Sequence, residues 1–85
     1  MNKGFEENPV QIEVIAEIAK HLGVTPQDID VHAGLSDDLG LGPIEMADLI
    51  SAISQKFDVV FNSQEVHNLK TVEDLVVTIE DLSLE

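Results

Sequence analysis

The sequence predicts an all-α fold, a small antiparallel four-helix bundle with three main helices, one short helix and a long first loop. Three observations carry that expectation. Apolar residues recur at three- and four-residue steps in three separate windows. Each window opens on a helix-start signal: Asn8-Pro9, Gly42-Pro43, and Thr71 with Asp74 three residues on. The one extended stretch, Asp58 to Phe61, has no second stretch to pair with as a sheet.

The first helix starts with Asn8 as N-cap, Pro9 at the first helical position and Gln11 placed to complete a capping box. Val10, Val14, Ile15, Ile18, Ala19 and Leu22 form one face of four turns. Lys20 and His21 lie in the last turn, where the helix dipole favours cations. Gly23 is placed to take the left-handed conformation that ends a helix. Residues 24–42 then make a long connection. Thr25-Pro26-Gln27-Asp28 reads as one capped turn with Ile29 inward. Val31, Ala33, Leu35, Leu39 and Leu41 read as anchors that pin the loop across the helices. A loop of this length inside a small domain is usually functional or disordered, and the anchors argue against disorder.

The second helix runs from Pro43 to about Phe57, with Ile44, Ala47, Leu49, Ile50, Ile53 and Phe57 as its apolar stripe. Asp58 to Phe61 is an extended turn. Asn62 or Ser63 caps a short third helix through Leu69, with Val66 and Leu69 inward. Thr71 opens the last helix, and Val72, Leu75, Val76, Ile79 and Leu82 form its buried stripe. The whole chain, 1–85, reads as one domain. Residues 1–7 look like a frayed lead-in, and Leu84-Glu85 resembles a tag remnant to which no function is assigned.

Composition removes many functions. The 85 residues are 44% hydrophobic, which suffices for a core, and with three Phe and no Tyr or Trp that core must be aliphatic. There is no cysteine, hence no disulfide framework, thiolate zinc site or cysteine nucleophile. No apolar run approaches the ~20 residues of a membrane span, and residues 1–7 lack a signal-peptide core. The expected location is the cytoplasm, without membrane insertion. Seventeen acidic residues against four lysines give a net charge of −13. That charge repels nucleic acid and anionic membranes and favours basic proteins and cations. No Ser-His-Asp set, P-loop or HExxH is present, so the chain is not expected to be an enzyme, and no catalytic residue is assigned. His21, His32 and His67 lie on three separate segments and read as surface or capping residues. Asp28, Asp30, Asp37 and Asp38 offer oxygen ligands for weak, nonspecific divalent-cation association, centred on Asp37 and Asp38. They lack the spacing of an EF-hand, so no specific metal site is expected.

The chain is organised around Asp37-Asp38-Leu39-Gly40-Leu41-Gly42-Pro43-Ile44-Glu45-Met46-Ala47-Asp48-Leu49. Gly42 suits the extended angles of an N-cap, and Pro43 suits the first helical position, where its missing N–H costs nothing. Glu45 sits near the positive end of the helix dipole, with Asp48 one turn on. This stretch resembles the centre of the acyl carrier protein family. There, Asp-Leu-Gly-x-Asp-Ser-Leu-Asp leads into a helix, and the serine bears a 4′-phosphopantetheine arm. Asp38-Leu39-Gly40-Leu41 matches the first part, and Ile44-Glu45 matches the Leu-Asp after the serine. Gly42 stands where the family has aspartate, and Pro43 stands where it has the serine. The resemblance covers roughly Val10 to Leu82 and runs without a gap from Pro43 onward. Phe57 and Thr71-Val72 fall where the family ends one helix and begins another, and Gly23-Val24 with Ile29 resembles its first loop.

What the resemblance implies divides at position 43. The arm is attached through a serine hydroxyl, which proline lacks, so no cofactor is expected there. Gly42 also drops a carboxylate that helps a divalent ion and the attaching transferase engage. Ser36, in Gly34-Leu35-Ser36-Asp37, superficially resembles an alternative attachment serine. It lies seven residues too early, and its ordinary role would be to accept backbone N–H bonds at the Asp37-Asp38 turn. Ser51 and Ser54 fall inside the second helix, where a transferase has poor access. The second helix is the family's docking face toward basic patches on enzymes, which points to Ile44, Glu45 and Asp48. Its far end, Ser54-Gln55-Lys56, is no longer acidic. An acyl pocket, if it resembles the family's, would form near Ile50, Ile53, Val66 and Leu69. The first reading is therefore an acyl-carrier-like domain without its arm, monomeric, docking on or regulating fatty-acid, lipid or polyketide enzymes. One alternative is a working carrier that holds acyl groups through another residue or non-covalently. The other is an unrelated helical binding module, which would lack a long loop packed over the start of the second helix.

Overall fold

Helix-start chemistry places each element of the chain, of which a computed structural model describes residues 8–84. In order they are α1 (Pro9–Leu22), a 3₁₀ turn (Pro26–Asp28), α2 (Pro43–Phe57), α3 (Ser63–His67) and α4 (Val72–Ser83). The expected all-α, four-helix architecture is present. The readings of residues 1–7 and Glu85 lie outside the described residues.

The caps explain the boundaries. Asn8 Oδ1 accepts the N–H groups of Val10 and Gln11 at 3.0 and 3.1 Å. Asn8 Nδ2 donates across the fold to Glu80 Oε2 at 2.8 Å, which ties the start of α1 to α4. The cap is carried by Asn8 itself; the return bond expected from Gln11 is not formed among the described residues. At the other end Gly23 has φ +72°, where a side chain would be strained, and its N–H donates to Ala19 O at 2.8 Å. α2 begins on Gly42 and Pro43 and stops at Asp58, which adopts the left-handed region at φ +57°. The expected extended turn thus starts one residue later than Asp58, because Asp tolerates that conformation and closes the helix. Thr71 and Asp74 cap α4 reciprocally: Asp74 N–H donates to Thr71 Oγ1 at 3.1 Å and Thr71 N–H to Asp74 Oδ2 at 3.0 Å.

The core is aliphatic. Val14, Ile18 and Ala19 from α1, Leu49 and Ile53 from α2, and Val72, Leu75, Val76 and Ile79 from α4 meet in one buried cluster. Ile29, Leu35, Leu41 and Leu69 complete it from the connections. Two assignments of the α2 stripe are corrected: Ile44 is 76% exposed and Ala47 is also exposed, while Met46 packs against the core. Helix geometry gives the reason. At about 100° per residue, Met46 lies about 60° from Leu49, whereas Ile44 and Ala47 lie about 140° and about 160° away. α3 ends at His67, before Leu69, and has no buried residue; Val66, expected inward, is 37% exposed. A single turn cannot bury two positions, and Leu69 beyond its end takes that part. Leu82 is half-buried at the end of α4.

The long loop is built into the fold by more than its apolar anchors. Leu35 N–H donates to Lys70 O at 2.8 Å, Val72 N–H to Ala33 O at 3.0 Å, and Glu73 N–H to Val31 O at 2.8 Å. The last two bonds occupy backbone donors in the first turn of α4 that have no partner within the helix. Gly34 and Thr71 form an isolated antiparallel bridge at this seam. The loop is therefore a strap between α4 and the start of α2.

Candidate functional site

The site is the turn 34–42 together with the first two turns of α2. Its geometry is set by one carboxylate and one glycine. Asp38 Oδ2 accepts Gly34 N–H at 2.7 Å, and Gly34 O in turn accepts the N–H groups of Asp38 and Leu39 at 3.0 Å each. Gly40 then takes φ +73°, which reverses the chain, and its N–H donates to Ser36 O at 3.1 Å. Leu41 N–H donates to Leu35 O at 3.0 Å, which brings both leucines into the core and delivers Gly42 to the start of α2.

At that start, Gly42 has φ −81° and ψ −179°, and Pro43 is the first helical residue and exposed. Glu45 Oε1 accepts the Gly42 N–H at 3.1 Å. Ile44, Glu45 and Asp48 are all exposed on the first two turns, so the structure brings the three expected docking residues to one surface. Ile44 and Asp48 are one helical turn apart on a shared face, with Glu45 beside them but folded back onto the helix end. At the far end of α2, Lys56 Nζ lies 3.0 Å from Glu13 Oε1 of α1. That hydrogen bond and the charge of Glu13 raise Lys56 above its ordinary value of 10.5.

Ser36 is exposed in the turn, but the role expected for its hydroxyl is corrected. Its backbone carbonyl accepts a turn hydrogen bond, whereas Asp38 supplies the side-chain acceptor, since a carboxylate reaches Gly34 N–H across four residues. Ser36 lines a cleft of about 290 Å³ with Leu35, Asp37, Met46, Leu69 and Lys70. Of the four residues expected around an acyl pocket, Leu69 alone borders this cleft; Ile53 is fully buried and Val66 faces outward. Sequence reasoning missed Met46 and Lys70. Met46 was legible from the i, i+3 step to Leu49, whereas Lys70 lines the cleft only because the strap bonds to its carbonyl.

Asp28, Asp30 and Asp38 border one open cleft with His32, Ala33 and Leu39, and each carboxylate is engaged with backbone nearby. Asp38 is engaged with Gly34, Asp30 Oδ1 accepts His32 N–H at 2.8 Å, and Asp28 Oδ2 caps Thr25. Among the described residues there is no group of three or more His, Cys, Asp or Glu side chains arranged to hold a metal. The histidines stay apart. His21 Nδ1 is 3.0 Å from Glu17 O, and His32 Nδ1 is 3.3 Å from Glu73 Oε1, beside the strap. No helix among the described residues is long and apolar enough to cross a membrane.

Comparison with known proteins identifies the family. The family described as "Phosphopantetheine attachment site" matches residues 13–79. The acyl carrier protein of Syntrophobacter fumaroxidans is 30% identical over 66 residues, spanning 78% of this chain and 82% of that protein. The acyl carrier protein of Exiguobacterium sibiricum is 32% identical over 71 residues, spanning 84% and 90%. That of Bdellovibrio bacteriovorus is 32% identical over 63 residues, spanning 74% and 81%. With a capped α2 led in by Asp38-Leu39-Gly40, a strap of buried leucines and a match over most of its length, this chain belongs to the acyl carrier protein family.

Proposed function

We propose that this chain is an acyl-carrier-type domain that bears no phosphopantetheine at the start of α2 and works by contact. It would dock on or regulate enzymes of fatty-acid, lipid or polyketide synthesis through Ile44, Glu45 and Asp48. The observation that carries the reading is Pro43 at the first position of α2, where the family motif has its serine. Attaching the arm requires a side-chain oxygen to attack the pyrophosphate of coenzyme A at the phosphorus that bears the pantetheine, losing its proton as the adenosine bisphosphate leaves. A pyrrolidine ring offers none, so the residues present do not fit the covalent group. The net charge of −13 and the exposed carboxylate of Asp48 suit a basic patch on a partner enzyme. On this reading the protein is a non-catalytic monomer.

A second reading is kept for one observation. The Ser36 hydroxyl is exposed at the rim of the 290 Å³ cleft, whose floor includes Leu35, Met46 and Leu69. A carrier that used Ser36, or that held an acyl chain in the cleft without a covalent link, would explain that arrangement. Intact mass after incubation with coenzyme A and a broad-specificity phosphopantetheinyl transferase separates the first reading from a carrier loaded at Ser36, and binding of a fatty acyl ligand to the unmodified chain tests the non-covalent form. The expected result is no modification of the natural chain and one arm on the double variant Gly42→Asp with Pro43→Ser. An arm on the natural chain that disappears in Ser36→Ala would replace the first reading with the second.

A further inference from the structure

We propose that the cleft beside Ser36 takes a free monocarboxylic acid with an apolar chain, and that Lys70 selects it by pairing with the carboxylate. The inference rests on the non-covalent form of the second reading above, and names the class of ligand and the residue that chooses it. The carrying observation is where the chain leaves a cation uncommitted. Lys20 stands 3.9 Å from Glu17, and Lys56 stands 3.0 Å from Glu13. Lys70 is exposed, has no ion-pair partner among the described residues, and borders the cleft of about 290 Å³. Its backbone is held there from two sides. Lys70 N–H donates to Asp74 Oδ2 at 2.9 Å, and its carbonyl accepts Leu35 N–H at 2.8 Å. The fold thus fixes at the rim the root of an ammonium that no described residue neutralises.

The lining sorts ligands at both ends. Leu35 and Leu69 are buried and Met46 is half-buried, so the inner wall is apolar, and the flexible Met46 thioether can follow an alkyl chain. Ser36 and Asp37 share the rim with Lys70. The Ser36 hydroxyl can donate to a carboxylate oxygen. Asp37 disfavours a second negative charge, so a dicarboxylate or a phosphate ester fits worse than a monoacid. A thioester, ester or alcohol has no charge for Lys70 to hold. The rest of the surface works the other way. A net charge of −13 repels anions and attracts cations. Salt screens that background beyond about 10 Å at about 0.1 M, whereas Lys70 meets the ligand at contact. An anionic head bound more tightly than a cationic one therefore points to Lys70 and to no general property of the chain.

Amide NMR of the full natural chain, titrated with octanoate, 1-octanol and octylamine at about 0.1 M salt, tests this. Octanoate is expected to shift the amides of Ser36, Met46 and Lys70. It should bind about threefold tighter than 1-octanol, the scale of one exposed ion pair, and tighter than octylamine. Lys70→Gln should remove the advantage of octanoate and leave 1-octanol binding unchanged. The proposal is overturned if 1-octanol or octylamine binds the natural chain as tightly as octanoate, or if the advantage survives Lys70→Gln. In those cases the cleft still holds a chain, and the non-covalent reading stands without its anchor. If none of the three ligands shifts the cleft amides, that reading falls together with the proposal.

Discussion

Gly40 and Gly42 stand two residues apart and are glycine for different reasons. Gly40 holds φ +73° with open space where a Cβ would go, so its demand is on the backbone alone. Gly40→Ala should therefore cost about 1–2 kcal/mol, the penalty of the left-handed region for an L residue, as read in urea unfolding. Gly42 has ordinary angles, and a Cβ there would stand 2.7 Å from the flexible end of Glu45, so its surroundings and not its backbone mark it out. Residue identity was enough to place both at a turn before a helix. It did not distinguish them, because φ at position 40 belongs to the turn that Asp38 and Gly34 close, and the seat of Glu45 is set by its bond to the Gly42 N–H.

The helices follow from their caps and their spacing. Asn8, Pro9, Gly23, Pro43, Phe57 and Thr71 mark boundaries that the fold keeps. Thr71 is the most heavily used, since its hydroxyl and Asp74 serve each other while the strap serves the next two backbone donors. Thr71→Ala should cost about 1 kcal/mol in thermal or urea unfolding, the usual value of an N-cap. The Lys56–Glu13 pair joins α2 to α1 at the surface. A lysine raised in the folded state stabilises most fully below its unfolded value and loses the contribution as pH rises through the folded one. Any stability difference between the natural chain and Lys56→Met should thus be present at neutral pH. It should fade only above about pH 10.5, as followed by unfolding at stepped pH. Because the pair is exposed, added salt should shrink that difference.

At the scale of the whole molecule the loop belongs to the core. Leu35 and Leu41 are as buried as the helix stripes, and three backbone bonds fasten residues 31–35 to residues 70–73. Leu35→Ala should cost about 2–5 kcal/mol, the range for a buried leucine, where a residue on a mobile loop would cost little. Circular dichroism with urea checks it. The same fastening carries position from α4, through the strap, to the turn that starts α2. The start of α2 is then placed by contacts distant in sequence, which is why Lys70 borders the cleft although it lies just before α4.

Fold class, the bounds of α1 and α2, the start of α4, the aliphatic core and the family were legible in the residues alone, because caps, apolar period and short motifs act over a few neighbouring positions; the end of α3 was not, since it stops at His67 and not at Leu69. So was the lack of a hydroxyl at position 43. Three features came only with the folded chain. One is the exposure of Ile44 and Ala47 on α2. Another is the cleft that opens beside Ser36 and Leu69, away from Ile53 and Val66. The third is the return of Glu45 onto its own helix. The cleft is the long-range one of the three: the α2 face and the Glu45 bond are local to the helix, whereas the cleft depends on the angle at which the strap delivers the chain into α2. That angle is fixed by hydrogen bonds to residues more than thirty positions away.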